Sequence, residues 1–370
     1  MRRTPALIVG GGPAGAVAAL LLARAGSPHL LIERSAATGD ALCGGFLSWR
    51  TLETLERVGI RPDALSHDRI RRLRLFAGGR QAEAYLPRPA IAVSRWRLDT
   101  VLLDQATDAG AAVERGVAVR GAAGLVVRLA DDSEIVSDAL FLATGKHDVR
   151  GLARPVVRDD DPALGLRVRL GPSRALDRMV DGTIELHLFD RGYAGLARQE
   201  DGTVNCCMAV HRSRLSEAGS PASLLDILGR ESSALGERLA HRAGDAAIDA
   251  VANVPYGWRA HETVPGLFRL GDQAACIPSL AGEGMGIAIE SAARAATAYL
   301  RDGPGAAVAY QARLAGDLAR PFAVAGVIRG AAERPTWASA LAAAVRLTQQ
   351  LAGIAARLTR ISHMPLDARP

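Results

Sequence analysis

Three groups of residues in this 370-residue chain have types and spacings that can do chemistry. The first is Gly10-Gly11-Gly12-Pro13-Ala14-Gly15, set directly between two apolar runs, with Glu33 18 positions beyond Gly15. The second runs from Gly271 to Met285, where Asp272, Pro278 and a Gly282-Glu283-Gly284 turn follow a short apolar run. The third is a scatter of reactive groups: Cys43, Cys206, Cys207, Cys276, His187 and Lys146, the one lysine among 45 basic side chains. The glycine cluster fits G-x-G-x-x-G, in which Gly10 permits a tight turn, Gly12 admits a pyrophosphate and Gly15 lets helix and strand pack closely. A helix opening at Pro13-Ala14 offers free amides and a positive dipole to phosphates. An acid at Glu33 accepts both ribose hydroxyls and excludes a 2′-phosphate, which leaves the ADP half of NAD or FAD. The second block decides for FAD. Asp272 stands at a strand end where a ribityl chain can be held, and the helix opened by Gly282, Gly284 and Met285 directs its positive end at a reduced flavin.

These residues need a particular frame. Ala6–Val9, Ala14–Ala25 and His29–Glu33 read as strand, helix and strand, a βαβ unit. Helices are expected over 48–58 and Leu98–Ala109, followed by strands near Val113–Val119 and over 138–145. The style then changes. Residues 183–189 alternate, 192–202 read as a turn-rich link, and 203–210 form a second strand, which signals an antiparallel sheet. Residues 266–272 return to a buried strand, Met285–Leu300 to a long helix, and 306–361 to an amphipathic helical tail interrupted near Pro321 and Pro335. The expected fold class is α/β: a Rossmann-like domain (1–72, 92–150 and 256–310), an inserted antiparallel-sheet substrate domain (73–91 and 151–255) and a helical C-terminal tail (311–370).

Composition narrows the function classes. The net charge of +6 comes from scattered arginines, with no basic block or aromatic-interleaved stripe, so nucleic acid is not an expected partner. The four cysteines show neither metal-ligand spacing nor a disulfide framework, so no metal and a reducing, cytoplasmic setting are expected. The first 26 residues imitate a signal peptide, yet a GGGPAG turn has no place inside an apolar signal core. No run is long and apolar enough to span a membrane. The tail is expected to pack on the core, with covering the substrate mouth, pairing two subunits or touching a membrane surface as alternatives to a monomeric state.

With these motifs in order, the sequence resembles the FAD-dependent oxidoreductases of the aromatic-hydroxylase and geranylgeranyl-reductase superfamily. Four stretches over about residues 1–300 carry the resemblance: GGGPAG with Glu33, "CGGFLS" (43–48), "SRWRLDTVLLDQA" (94–106) and the GD…P…GEG block. The resemblance implies that Arg95 contacts FAD phosphate or ribose, with Arg97 competing for the role, and that Arg34, Cys43 and Gly44 lie beside the cofactor. It also implies that Asp272 holds the ribityl chain and that Pro278, Gly282, Gly284 and Met285 line the flavin ring. Thr144-Gly145 closes the strand-end motif in which single-component hydroxylases carry Asp-Gly, so electrons are expected from NAD(P)H directly or through a partner flavin reductase.

Two reactions on a lipophilic small molecule follow from the resemblance. Hydroxylation of an aromatic or polyketide-like substrate, with O₂ activated by the reduced flavin, is the first expectation. Reduction of an isoprenoid-type C=C is the alternative, kept by the CGG loop, and a non-catalytic flavin-binding redox sensor is the third. A halogenase is disfavoured, because no W-x-W-x-I-P segment occurs and Lys146 belongs to a different motif. Cys43 and His187 are the weak candidates for catalysis, Cys43 as a donor or polarisable wall and His187 as a base. Lys146 follows the Ala-Thr-Gly turn, where a compact ammonium can meet a cofactor phosphate or Asp148.

Overall fold

A computed structural model describes residues 1–155, 159–252 and 254–362. Two sheets organise them. The first has the order Ala112–Arg115, His29–Glu33, Arg2–Val9, Glu134–Leu142, Val126–Leu129, Val119–Ala123, and Leu267–Arg269 pairs with the far half of Glu134–Leu142. Its pairings are parallel around Arg2–Val9 and antiparallel at the Val126–Leu129 end. Parallel strands covered on both faces must be apolar on both, and Ala6 to Val9, Leu30 to Ile32 and Ala139 to Leu142 are all buried. The helices Pro13–Arg24, Arg95–Asp108 and Gly284–Asp302 pack together on one face.

The second sheet is eight-stranded and antiparallel except where Thr183–Phe189 runs parallel to Ile70–Ala77. Its order is Asp249–Val251, Ala163–Leu170, Val204–His211, Gly192–Arg198, Thr183–Phe189, Ile70–Ala77, Arg80–Ala92, Phe46–Leu47. The expected turn-rich link over 192–202 is instead a central strand, Gly192–Arg198, hydrogen-bonded on both sides. Its small residues hide the strand alternation that tertiary pairing imposes.

One face of this sheet carries Leu166, Val168, Leu196, Cys206 and Met208 and packs under the helices Pro221–Glu231 and Ser233–Leu239. The other face turns toward the nucleotide-type sheet and the tail. The tail breaks at Leu318 rather than at Pro321, which fits within the first turn of Ala319–Ala332, while Pro335 opens Pro335–Leu347. The final helix is Gln350–Leu358, and the end of the 311–370 segment lies outside the described residues. Among the described residues no helix is long and apolar enough to cross a membrane.

Candidate cofactor and substrate site

The glycine loop leaves the end of Arg2–Val9 with φ +107° at Gly10, and a Cβ there would sit 2.5 Å from the Ala143 carbonyl oxygen. A Cβ on Gly15 would sit 1.8 Å from the Gly10 oxygen, so the helix can approach the loop only without a side chain. The helix Pro13–Arg24 has Gly12 at its N-cap and no side-chain cap, which leaves its first amides open. Glu33 closes its strand with one carboxylate oxygen on the Gly11 amide (2.6 Å) and the other on the Ser35 amide (2.9 Å).

Arg95 approaches the same loop from the start of Arg95–Asp108, its Nη2 3.2 Å from where a Gly12 Cβ would be. Asp99, one turn on, accepts from its Nε (2.9 Å) and Nη2 (2.7 Å). Burial works against the Arg95 charge, but Asp99, with Cys43 and Asp272 in its field, raises the guanidinium pKa above its ordinary value. Arg97 points elsewhere and donates to the Ala64 carbonyl. Arg34 lies at the rim and donates to His147 Nε2 (2.9 Å). Burial and the charges of Arg34, Lys146 and Arg154 lower the His147 pKa, which marks an electropositive rim.

The GD block and the Ala-Thr-Gly turn are tied to each other. Gln273, fully buried, donates through Nε2 to the carbonyls of Gly145 (2.9 Å) and His147 (3.1 Å). Arg154 forks onto the Asp148 carboxylate (2.7 Å), the Asp272 carbonyl (3.0 Å) and the Lys146 carbonyl (2.7 Å). Asp148 is therefore the partner of Arg154 and not of Lys146. The half-buried Lys146 ammonium reaches toward the Leu42 carbonyl at 3.5 Å. Burial pushes the Cys207 and Cys276 thiols up, Cys207 to about 12, and the Lys146 charge opposes both shifts, so its ammonium lies in the field of both.

Gly282 adopts a left-handed conformation (φ +62°), and a Cβ on it would meet the Phe46 ring at 3.0 Å. The helix Gly284–Asp302 that follows has no side-chain cap and buries Met285. Pro278 caps the short 3₁₀ turn Ser279–Ala281. Glu283 is buried and accepts from Ser48 Oγ (3.2 Å), Arg360 Nη1 (3.0 Å) and the Ile361 amide (3.3 Å).

The CGG loop closes the third side. The Cys43 carbonyl accepts from Asn205 Nδ2 (2.8 Å), while a Cβ on Gly44 would meet nothing within 4 Å. Asn205, Cys207 and Ala209 alternate onto the sheet face opposite Cys206 and Met208, and Tyr193 joins them from Gly192–Arg198. Tyr193 Oη and Tyr256 Oη both meet Ser279 Oγ, at 2.5 and 2.9 Å. Burial raises both phenol pKa values well above the ordinary one. Beside Tyr256 and Pro278 opens a cleft of about 460 Å³, lined also by Arg259, Phe322 and Arg329.

His187 belongs elsewhere. With Glu185 and Phe189 it occupies the helix-covered face, while Leu186 and Leu188 face the cluster that includes Tyr193 and Leu280. It is buried rather than at the sheet surface, stacked on Phe76 (4.3 Å between ring centres) and 3.3 Å from Glu185. Burial raises the Glu185 pKa, but His187 and a two-pronged Arg238 (3.0 Å to each oxygen) overcome it and hold the carboxyl at about 2. Burial lowers the His187 pKa, so its neutral ring donates through Nε2.

The residues around this cradle fit a flavin dinucleotide. The fit rests on the two uncapped helix starts, the Gly12 approach beside Arg95, Glu33 at the end of its strand and Asp272 in the turn that follows Leu267–Arg269. Sequence reasoning missed Asn205, Tyr193, Tyr256, Ser279, Gln273, Arg154 and Arg360. Gln273 and Ser279 lie between the motif positions of the GD…P…GEG block, the others lie outside every glycine motif, and Tyr193 lay in the stretch read as a link.

Residues 3–149 match the family model described as "FAD binding domain". The chain is 28% identical over 339 residues to the menaquinone reductase of Mycobacterium tuberculosis, covering 86% of this chain and 81% of that one. It is 28% identical over 302 residues to digeranylgeranylglycerophospholipid reductase 2 of Methanopyrus kandleri, covering 75% and 72%. Among solved structures, PqsL of Pseudomonas aeruginosa, described as a probable FAD-dependent monooxygenase, matches with TM-score 0.75 at 17% identity over 92% of this chain and 99% of its own. A geranylgeranyl bacteriochlorophyll reductase-like protein of Thermoplasma acidophilum matches with TM-score 0.74 at 19% identity over 98% and 94%.

Proposed function

Because the chain belongs to the superfamily of FAD-dependent oxidoreductases that holds monooxygenases and geranylgeranyl reductases, and is thus an enzyme rather than a passive sensor, we propose that it reduces a C=C bond of an isoprenoid-type lipophilic molecule. Bound FAD, once reduced, supplies the hydride. Arg95, Glu33 and Asp272 hold its phosphate, ribose and ribityl parts, and NAD(P)H is the donor, directly or through a partner reductase, given Thr144 in the strand-end motif.

Two relatives named as reductases, similar over three quarters or more of the chain, carry this reading. Hydride addition to an alkene requires a proton for the second carbon, so the wall must present acids. Tyr256 beside the cleft and Tyr193 behind Ser279 hold phenol protons there. Ser279 Oγ joins the two phenols, so a proton given up on one side is replaced from the other. Hydroxylation of a phenol is better served by a base, and His187 faces away from this wall.

Hydroxylation of an aromatic or polyketide-like substrate is the second reading, and it reverses the order expected from sequence. It is favoured by the likeness to PqsL and by the hydroxyl trio, which suits a ring substituent. The deciding experiment incubates FAD-loaded, chemically reduced protein with a polyprenyl quinone under argon and under air. A product formed under argon that stays heavier by two hydrogens after its quinol ring is reoxidised to the quinone, so that one C=C of the chain is saturated, is expected. A product formed only in air and heavier by one oxygen refutes reduction and leaves hydroxylation.

A further inference from the structure

The tail carries a surface that the cofactor chemistry does not use. In Pro335–Leu347, Ala338, Ala342 and Val345 face inward onto the cluster of Leu75, Leu188 and Tyr193. The opposite face is uncharged and large-residued at its ends, with Trp337 62% and Leu347 87% exposed. Gln350–Leu358 likewise exposes Leu351 (44%) and Ile354 (49%). Large apolar side chains left exposed along two consecutive helices mark an interaction surface rather than scattered surface residues.

Charge says what covers it. Residues 334–362 contain four arginines and no Asp or Glu. Arg360 is spent internally on Glu283, while Arg346 and Arg357 are exposed beside the apolar face. A twofold dimer would lay this patch on itself, arginine against arginine, with no carboxylate from these helices to meet them. An interfacial helix has the opposite preference: apolar side chains enter the headgroup boundary while arginines meet anionic lipid.

We propose that the helices Pro335–Leu347 and Gln350–Leu358 dock the protein on the surface of an anionic lipid bilayer. The first helix packs into the same cluster as Tyr193 and Leu280, so docking sets the bilayer beside the sheet that carries Tyr193.

The test is flotation of the full FAD-loaded chain with vesicles of phosphatidylcholine alone or mixed with phosphatidylglycerol, without substrate, so the outcome is independent of which reaction the site performs. Binding to the mixed vesicles, weakened by salt, is expected. Trp337→Ser/Leu351→Ser/Ile354→Ser should weaken it about tenfold or more. Arg346→Gln/Arg357→Gln should weaken it about 25-fold, each arginine near an anionic surface contributing about fivefold. Both variants should keep FAD absorbance and melting temperature, and the second changes no apolar residue should the first fail to fold. Wild-type protein that stays off mixed vesicles overturns the proposal, as does binding that neither variant changes. So does a solution dimer that the triple variant dissolves, which would make a second copy the occupant.

Discussion

Arg360→Ala removes the bolt between the tail and the GEG turn. The Arg360–Glu283 pair has side-chain exposures of 6% and 1%, so it is a buried pair of the kind whose breakage costs about 3–5 kcal/mol. Arg360 also donates to the Ala281 carbonyl (2.5 Å) and lies over Trp49 and Phe46, each ring contact worth about 0.5–1 kcal/mol. Burial already raises the Glu283 pKa against the pull of Arg360. Without the arginine that pKa rises further, and the carboxyl escapes part of the penalty by taking a proton. The net loss should be about 2–4 kcal/mol at neutral pH. The sign of the pH dependence follows. A carboxyl whose folded pKa is raised destabilises the fold as pH climbs through that pKa, and the variant's is higher than wild type's. The deficit should therefore shrink in mild acid and grow toward alkaline pH. Urea unfolding across that range measures it, while flavin fluorescence should show FAD affinity falling about tenfold as the Gly282–Gly284 turn loosens. Arg360→Lys should recover part of the stability. A deficit below about 1 kcal/mol, or one that does not vary with pH while FAD affinity is unchanged, refutes the clasp.

Gly15→Ala should abolish FAD retention during purification, since its Cβ would fall 1.8 Å from the Gly10 oxygen, and a stable FAD-loaded variant would contradict the cradle. Glu185, held at about 2, gives stability that is present above the unfolded carboxylate pKa and lost as pH falls from there toward about 2. Arg238→Ala should remove much of that acid dependence and cost about 3–5 kcal/mol at neutral pH, read by denaturant unfolding. Lys146→Arg should weaken FAD binding more than a charge-conserving change suggests, because a planar fork must fit beside the Leu42 carbonyl and two thiols; unchanged affinity and turnover would make the lysine incidental.

Legibility from sequence followed the range of the interactions. His29–Glu33 and Thr183–Phe189 end where their patterns end, because a βαβ unit and a strand alternation are local signals. Gly192–Arg198 was hidden because its small residues have no alternation of their own, and only its two neighbours make it a strand. The glycine turns were legible because tight turns and close backbone approaches compress into glycine, as at Gly10, Gly15 and Gly282. The wall opposite was not: Asn205 meets Cys43 across 162 positions and Tyr193 meets Ser279 across 86, contacts no spacing rule reaches.

The same contacts explain the lone lysine. The arginines of this site act as bolts: Arg154 ties Asp148 to the Asp272 carbonyl, Arg360 ties the tail to Glu283, and Arg167 ties Asp40 to Asp249. Each needs a planar fork to hold two partners at once. Lys146 makes one long contact to a carbonyl and, among the described residues, pairs with no carboxylate. Its backbone is fixed by Arg154 and, through the neighbouring Gly145, by Gln273, while its ammonium keeps only the long Leu42 contact. A guanidinium there would find carbonyls to fork onto and be consumed as another bolt. A single-point ammonium stays available, held only by one long contact to a carbonyl.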